Sequence, residues 1–129
     1  MKSILIVEDE AISALLLDKM LSQHFKTELV DNSEKCKSQC SKNQFDIIIL
    51  DINLGADSVD GVELLKSLKN IANCKNTIFI AMTAYAMPDD KEKYIKMGFD
   101  QYFSKPIIFD DVINKLLSFG KDKPVRSDS

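Results

Sequence analysis

Acidic side chains, a hydroxyl and a lysine follow short apolar runs at four separate points in the chain. Glu8 and Asp9 follow one run, Asp51 follows a second, and Thr83 and Lys105 follow two more. Clustered carboxylates raise one another's pKa unless a cation lies between them. Oxygen ligands without histidine or thiol favour a hard cation, here Mg²⁺. With a hydroxyl and a lysine to meet an anion, the set is typical of phosphoryl transfer to a carboxylate nucleophile.

Each of these residues alone has an ordinary structural explanation. An acid after a strand is most often a helix N-cap or a solvated turn residue, and Glu8, Asp9 and Asp51 could each be one of these. The site hypothesis therefore depends on whether the four positions meet at the same end of one sheet.

The elements that would bring them together are visible as an alternation of strand and helix patterns. Runs 4–7, 47–50 and 78–82 are continuously apolar, as expected for central strands of a parallel sheet, and 27–30 and 101–103 suit its edges. Helical periodicity separates the runs. In the first helix a broad apolar stripe, interrupted only at its rim, is expected to face the sheet; it comprises Ile12, Leu15, Leu16, Lys19 and Met20. The other helices are predicted near 33–42, 61–72, 88–97 and 112–117.

This β-α alternation predicts a three-layer α/β domain with helices on both faces of the sheet. Ligands of such sheets bind beyond the carboxyl ends of the strands, where the four positions fall. We expect one domain over 1–120 and a polar tail over 121–129.

Composition excludes several functional classes. The chain has 129 residues, and its net charge of −3 gives no electrostatic reason to expect nucleic acid or a membrane as the partner. No segment reaches the roughly 18–20 apolar residues of a membrane span, and no secretion signal is recognisable. Three cysteines cannot all pair, so Cys36, Cys40 and Cys74 are interpreted as thiols of a cytoplasmic protein. Cys36 and Cys40, four residues apart, are expected on the inner face of the second helix.

Five sequence blocks resemble the receiver domain of two-component response regulators. They are Ile-Leu-Ile-Val-Glu-Asp-Glu (4–10), Asp-Ile-Ile-Ile-Leu-Asp-Ile-Asn-Leu (46–54), Asp-Gly (60–61), Met-Thr-Ala-Tyr (82–85) and Gly-Phe-Asp-Gln-Tyr-Phe-Ser-Lys-Pro-Ile (98–107). The resemblance covers residues 2 to about 119, and together the blocks are far more specific than any one of them. It implies a flavodoxin-like fold, a doubly wound five-stranded parallel sheet of order 2-1-3-4-5.

The resemblance also implies a metal site and a phosphoacceptor. Asp51 matches the carboxylate that becomes an aspartyl phosphate. Asp9 matches a direct Mg²⁺ ligand, Glu8 its neighbour acting through water, and Asn53 the residue whose backbone carbonyl completes the protein's share of the metal shell.

A second group of positions matches the family's switch. Thr83 corresponds to the hydroxyl that moves to the phosphoryl group, and Lys105 to the ammonium that pairs with it. The bond between Lys105 and Pro106 matches a peptide bond that is cis in the family. A bond that precedes proline is the one kind of peptide bond for which the cis form costs little free energy. Tyr102 matches an aromatic residue that turns inward when Thr83 moves.

The function implied is that of a signalling domain, in which self-catalysed phosphorylation and dephosphorylation replace turnover of a metabolite. The donor would be a histidine kinase or a histidine phosphotransfer protein. A downstream protein effector would bind the face of the fourth helix, fifth strand and fifth helix, and the domain would be a monomer or a weak phosphorylation-dependent dimer.

Three alternatives are less well supported by the residues. A phosphohydrolase of haloacid dehalogenase type would want an acid where this chain has Asn53. An FMN-binding flavodoxin-like protein would want a Ser/Thr/Gly-rich phosphate loop after the first strand, where acids stand. A degenerate receiver is disfavoured because every reactive position is filled.

One departure from the family pattern remains. The loop over 54–60 is longer than the usual receiver spacing, which leaves donor choice and phosphoryl lifetime open.

Overall fold

Five parallel strands form a single sheet in a computed structural model that describes residues 2–52, 61–83 and 90–119. The strands are β1 (Ser3–Val7), β2 (Lys26–Val30), β3 (Ile47–Asp51), β4 (Ile78–Thr83) and β5 (Gln101–Ser104). Their order is β2-β1-β3-β4-β5, and every neighbouring pair is parallel. The predicted sheet order and the assignment of β2 and β5 to the edges are confirmed.

Helices connect successive strands and cover both faces of the sheet. They are α1 (Ala11–Leu21), α2 (Ser33–Lys42), α3 (Gly61–Lys69), α4 (Asp90–Met97) and α5 (Phe109–Ser118), with a short 3-10 helix over Ala72–Cys74. Within the described ranges, no helix has both the length and the apolar content needed to cross a bilayer.

Alternate residues of each central strand point to opposite cores, because successive side chains of a strand lie on opposite faces. On one face Leu5, Ile48 and Phe79 pack with side chains of α2, α3 and α4. On the other face Ile6 and Ile49 pack with side chains of α1 and α5. Apart from the terminal residues Ser3, Asp51 and Thr83, the central strands are apolar because both of their faces are buried, as the continuous runs predicted.

The cysteines lie in the first of these cores. Cys36, Cys40 and Cys74 are all buried free thiols, which confirms the inward orientation expected for Cys36 and Cys40. A hydrogen bond with Cys36 is the largest cause that raises the pKa of the Cys40 thiol to about 12. A protonated, buried thiol behaves as a small apolar side chain.

The predicted orientation of the first helix is wrong. Ile12, Leu15 and Leu16 are 69%, 64% and 51% exposed, whereas the buried residues of α1 are Ala14, Leu17 and Leu21. Apolar residues lie on most sides of this helix, so periodicity alone could not select the buried side. The exposed residues Ile12, Leu15 and Leu16 are called the α1 patch below.

Gly98 closes the α4–β5 connection in a backbone conformation that other residues avoid. Its φ is +121°, and an added Cβ would lie 2.5 Å from Lys69 Nζ, the movable end of a flexible side chain. We expect Gly98→Ala to lower the free energy of unfolding by about 1–2 kcal/mol, because of the positive φ. Urea unfolding of Gly98→Ala in wild-type and Lys69→Ala backgrounds measures this. If Lys69→Ala abolishes the loss, contact with the lysine is the cause and the backbone explanation is wrong.

Candidate functional site

The carboxyl ends of four strands meet at one edge of the sheet. In the β3–β4 ladder Asp51 pairs with Met82, and in the β4–β5 ladder Thr83 pairs with Ser104. Asp51 and Thr83 are the last residues of their strands, whereas Glu8 follows β1 and Lys105 follows β5 directly. The parallel register therefore brings residues from distant parts of the sequence to one rim.

Three carboxylates form the centre of this rim. Glu8, Asp9 and Asp51 each place a carboxylate oxygen within 4.8 Å of the other two. Glu8 and Asp51 are each only 2% exposed, while Asp9 is exposed. Two of the acids are thus largely removed from water, and the third lies at the solvent side of the same cluster.

Local hydrogen bonds show that the residue that caps α1 lies next to this cluster. The N-cap of α1 is Glu10, whose Oε2 accepts a hydrogen bond from the Ser13 backbone N–H at 2.7 Å. The Glu10 N–H in turn donates to Glu8 Oε1 at 3.1 Å. The capping explanation considered for Glu8 and Asp9 is therefore wrong, because the next residue performs that role.

Lys105 bridges the two buried acids. Its Nζ donates to Glu8 Oε2 at 2.9 Å and to Asp51 Oδ2 at 3.1 Å, and its side chain is 23% exposed. The Lys105 backbone N–H donates to the Thr83 carbonyl at 2.8 Å, which fixes the start of the segment after β5. The Lys105–Pro106 peptide bond is cis. The ammonium group therefore already lies where a group added to Asp51 would meet it.

The electrostatic environment of the rim shifts the pKa values of two groups. Burial, with a further contribution from the hydrogen bond to Asp51, raises the pKa of Glu8 from 4.5 to about 7. Burial alone would lower the pKa of Lys105, but its hydrogen bonds to Glu8 and Asp51 raise that pKa above its ordinary value. The protein thus holds an acid that resists ionisation beside a base that stays charged.

This shift predicts a pH-dependent stability in protein without divalent metal. Because the pKa of Glu8 is raised from 4.5 to about 7, this carboxyl binds more protons in the folded protein than in the unfolded chain. Its contribution to the free energy of unfolding is therefore complete below pH 4.5 and is lost as the pH rises through about 7. We expect wild type to lose on the order of 1–3 kcal/mol more than Glu8→Gln between pH 5 and pH 8. Urea unfolding in chelator measures the difference, and parallel pH profiles of the two proteins would contradict it.

The donor set fits a hard divalent cation. Among the described residues the cluster consists of carboxylates, whose oxygens are ligands that Mg²⁺ accepts while keeping part of its water shell. Asp9, being exposed, is open to an ion that arrives from solvent. Asn53, the remaining predicted metal ligand, lies outside the described residues.

The two predicted switch residues occupy different settings. Thr83 is 1% exposed at the end of β4. Tyr102 lies in β5 opposite Ala81, is partly buried, and packs against the core beneath α4. Its hydroxyl oxygen is buried.

A groove beside the rim was not anticipated from the sequence. It has a volume of about 330 Å³ and lies between α1 and the segment after β5, with Leu16, Pro106 and Phe109 lining it together with Glu8 and Lys105. Leu16 also belongs to the α1 patch. The apolar surface misassigned to the core is therefore continuous with the acidic site. The one available signal was a helix carrying more apolar residues than a single buried face needs.

Comparison with known families identifies the architecture. A family model described as the response regulator receiver domain matches residues 4–117. That range includes every position of the rim.

Two curated relatives differ in size. The polar-differentiation response regulator DivK of Brucella anthropi is 31% identical over 119 residues, covering 92% of this chain and 95% of DivK. The signal transduction histidine-protein kinase BarA of Escherichia coli K12 is 32% identical over 108 residues, covering 84% of this chain but only 11% of the kinase.

A solved structure shares the fold and holds a metal. The receiver domain of the sensor histidine kinase PA1611 from Pseudomonas aeruginosa PAO1 superposes with a TM-score of 0.78 and 25% identity, covering 89% of this chain and 93% of that one. In that structure a magnesium ion is coordinated in the active-site cleft.

Proposed function

The chain belongs to the response regulator receiver domain family, and we propose that it acts as a phosphoacceptor in which Asp51 receives a phosphoryl group from a phosphohistidine. The observation that carries this proposal is the contact of Lys105 Nζ with both Asp51 and Glu8 at one buried rim. A carboxylate that is only 2% exposed yet lies beside an ammonium group and two further acids is suited to becoming an acyl phosphate.

The chemistry at Asp51 is an in-line displacement. A carboxylate oxygen of Asp51 attacks phosphorus, the phosphorus–nitrogen bond of the donor breaks, and the departing imidazole keeps the electron pair and takes up a proton. The product is an acyl phosphate, and attack by water on its phosphorus later restores the carboxylate and releases inorganic phosphate. No external metabolite is consumed in this cycle.

The metal would be held by Asp9 and Asp51 directly, with Glu8 acting through water and the Asn53 carbonyl as a further ligand. Bound Mg²⁺ would neutralise carboxylate charge and stabilise the negative charge of the transferring group. Glu8 and Lys105 form the inner wall of the site, where they keep Asp51 oriented.

Phosphorylation changes the charge balance around Lys105. The phosphoryl group carries about −1.5 to −2 charges and three acceptor oxygens in place of a single carboxylate charge. Before phosphorylation the Lys105 ammonium donates to both Glu8 and Asp51. After phosphorylation it would donate to the phosphoryl oxygens, and Thr83 at the end of the adjacent strand would donate its hydroxyl. Movement of Thr83 and Tyr102 would then alter the surface of α4, β5 and α5 and so the affinity for a protein effector.

The family match favours the receiver function over that of a phosphohydrolase of haloacid dehalogenase type. Asn53 also replaces the second acid such an enzyme would want. A receiver in this chain would use a histidine kinase or histidine phosphotransfer protein as donor, in the cytoplasm, where its three free thiols would stay reduced. We further propose that it is a monomer or a weak phosphorylation-dependent dimer.

The test of the proposed function is phosphoryl incorporation measured by intact-mass spectrometry. Acetyl phosphate supplies the group without a donor protein, and parallel samples contain Mg²⁺ or a chelator. We expect a phosphoryl adduct in Mg²⁺ and little or none in chelator. An unmodified protein under both conditions would overturn the proposal.

The α1 patch is suited to contact the donor protein. Ile12, Leu15 and Leu16 are exposed apolar residues, and Leu16 also lines the groove that Glu8 and Lys105 share. A donor helix that carried a phosphohistidine to Asp51 would cover this surface and bury its apolar side chains.

This docking role predicts a selective loss of transfer. Replacing Ile12 and Leu15 by Ser should slow phosphoryl transfer from phosphohistidine proteins about tenfold or more. Truncating a side chain that is buried in an interface weakens the binding free energy by about 1–2 kcal/mol or more. Uptake from acetyl phosphate should be unchanged. The control is Leu117→Ser, which alters another exposed leucine, about 12 Å along α5 from Phe109 at the start of that helix. Equal slowing with both donors would contradict the docking role.

A further inference from the structure

Three aromatic rings connect α4 to the edge strand β5. Tyr94 of α4 stacks on Tyr102, with ring centroids 5.4 Å apart and an angle of 20° between the planes. Phe99 meets Tyr94 edge to face at 6.0 Å and 86°. Phe99 is fully buried, so it gives Tyr94 a fixed support from the core.

Tyr94 is the main apolar anchor of its helix. Among the α4 residues whose side chains are described, 92–97, it alone is buried, and Glu92, Lys93 and Lys96 are exposed. A helix with so little buried surface is held weakly by its other side chains. The position of α4 against β5 therefore depends strongly on the contact between Tyr94 and Tyr102.

We propose that Tyr94 is a positioning residue that holds the Tyr102 ring inward, beneath α4, and thereby sets how much of the chain rests in the inward arrangement before phosphorylation. The proposal rests on the proposed function, in which Tyr102 reports the state of Asp51. Its basis is the near-parallel stack together with the buried position of the Tyr102 hydroxyl oxygen. Tyr94 thus gives the inward ring a surface that an aliphatic side chain would not match.

The expected effect follows from the strength of aromatic pairs. Loss of the stacked ring should lower the ratio of inward to outward Tyr102 roughly two- to twelve-fold, the range that such pairs contribute beyond area burial. The Tyr94 hydroxyl has no part in the stack, so Tyr94→Phe should leave the ratio near that of wild type. Tyr94→Leu should lower it.

Fluorine NMR of protein labelled with fluorotyrosine tests this in unphosphorylated protein. The chain has three tyrosines, so the Tyr102 signal is assigned by Tyr102→Phe. In Tyr94→Leu the Tyr102 fluorine should show the larger H2O-to-D2O solvent isotope shift of a solvent-exposed ring, while in Tyr94→Phe it should not. Tyr94→Met fills the same space with a flexible apolar side chain and serves if Tyr94→Leu does not fold.

The outcomes separate this inference from the proposed function. A solvent isotope shift at Tyr102 that is the same in Tyr94→Leu or Tyr94→Met as in Tyr94→Phe would overturn the positioning role. Acetyl phosphate and Mg²⁺ are then added to folded variants, and we expect a larger phosphorylation-induced shift of Tyr102 in Tyr94→Leu than in wild type. A wild type that takes up no phosphoryl group would defeat the proposed function, whereas the comparison in unphosphorylated protein would still decide whether Tyr94 holds Tyr102 inward.

Discussion

Asp51→Asn should take up no detectable phosphoryl group from acetyl phosphate or from a phosphohistidine protein. The amide lacks the anionic oxygen that attacks phosphorus, so the loss should be complete rather than partial. Because an amide is close in size to the carboxylate, Lys105 Nζ can still donate to the side-chain oxygen at position 51. Intact-mass spectrometry with each donor measures the uptake.

The matched control for this change is Asp31→Asn. Asp31 follows β2 at the same end of the sheet, and its carboxylate pairs with Lys35 in an exposed i,i+4 salt bridge. Such exposed pairs contribute little, so this variant should be phosphorylated like wild type. An adduct of undiminished size in Asp51→Asn would place the acceptor elsewhere.

Lys105→Ala should uncouple phosphorylation from the change at Tyr102. The variant keeps Glu8, Asp9 and Asp51 and should still bind Mg²⁺. It loses the one ammonium group that contacts Asp51 in the described structure, so the phosphoryl oxygens would lack their charged partner. Hydrogen bonds to charged groups contribute about 1.5–3 kcal/mol, so without this one the phosphoryl group should favour the inward Tyr102 ring roughly 10- to 100-fold less, and we expect no measurable phosphorylation-induced Tyr102 response.

Two measurements distinguish this uncoupling from a damaged site. Mg²⁺ titration reports whether the acids still bind metal, and the fluorine signal of Tyr102 reports the response to acetyl phosphate. Lys35→Ala is the control, since it removes a lysine near the same rim whose partner is exposed. A Tyr102 response of wild-type size in Lys105→Ala would contradict the assigned role of the lysine.

Much of the fold could be predicted because the central strands have an unambiguous pattern. β1, β3 and β4 are buried on both faces, so their continuous apolar runs distinguish them from half-exposed strands and long helices. Once parallel order was inferred, the rim followed, because residues after parallel strands must lie at one end of the sheet. Glu8, Asp9, Asp51 and Lys105 are brought together there, as predicted.

The orientation of α1 could not be predicted for a physical reason. Leu15, Leu16 and Leu17 are consecutive, so the helix offers apolar residues to several directions at once. Only contact with the sheet decides that Leu17 is buried while Leu15 and Leu16 stay exposed. Information of that kind lies in tertiary packing and is absent from local periodicity.

The hydrogen-bond assignments at the rim were equally out of reach. Glu8, Asp9 and Glu10 are chemically similar neighbours, and which of them caps α1 depends on backbone angles that the residue types do not determine. The stack of Tyr94 on Tyr102 joins a charged helix to an edge strand, and neither element has a pattern that predicts the contact.

The most direct measurement is mass spectrometry of the peptide that contains residue 51 after incubation with acetyl phosphate and Mg²⁺. We expect a phosphoryl group on Asp51 that is absent from the chelator sample and that is lost on treatment with hydroxylamine, which cleaves acyl phosphates. A phosphoryl group found only on another residue, or an unmodified Asp51 peptide in the presence of Mg²⁺, would contradict the assignment of Asp51 as the phosphoacceptor.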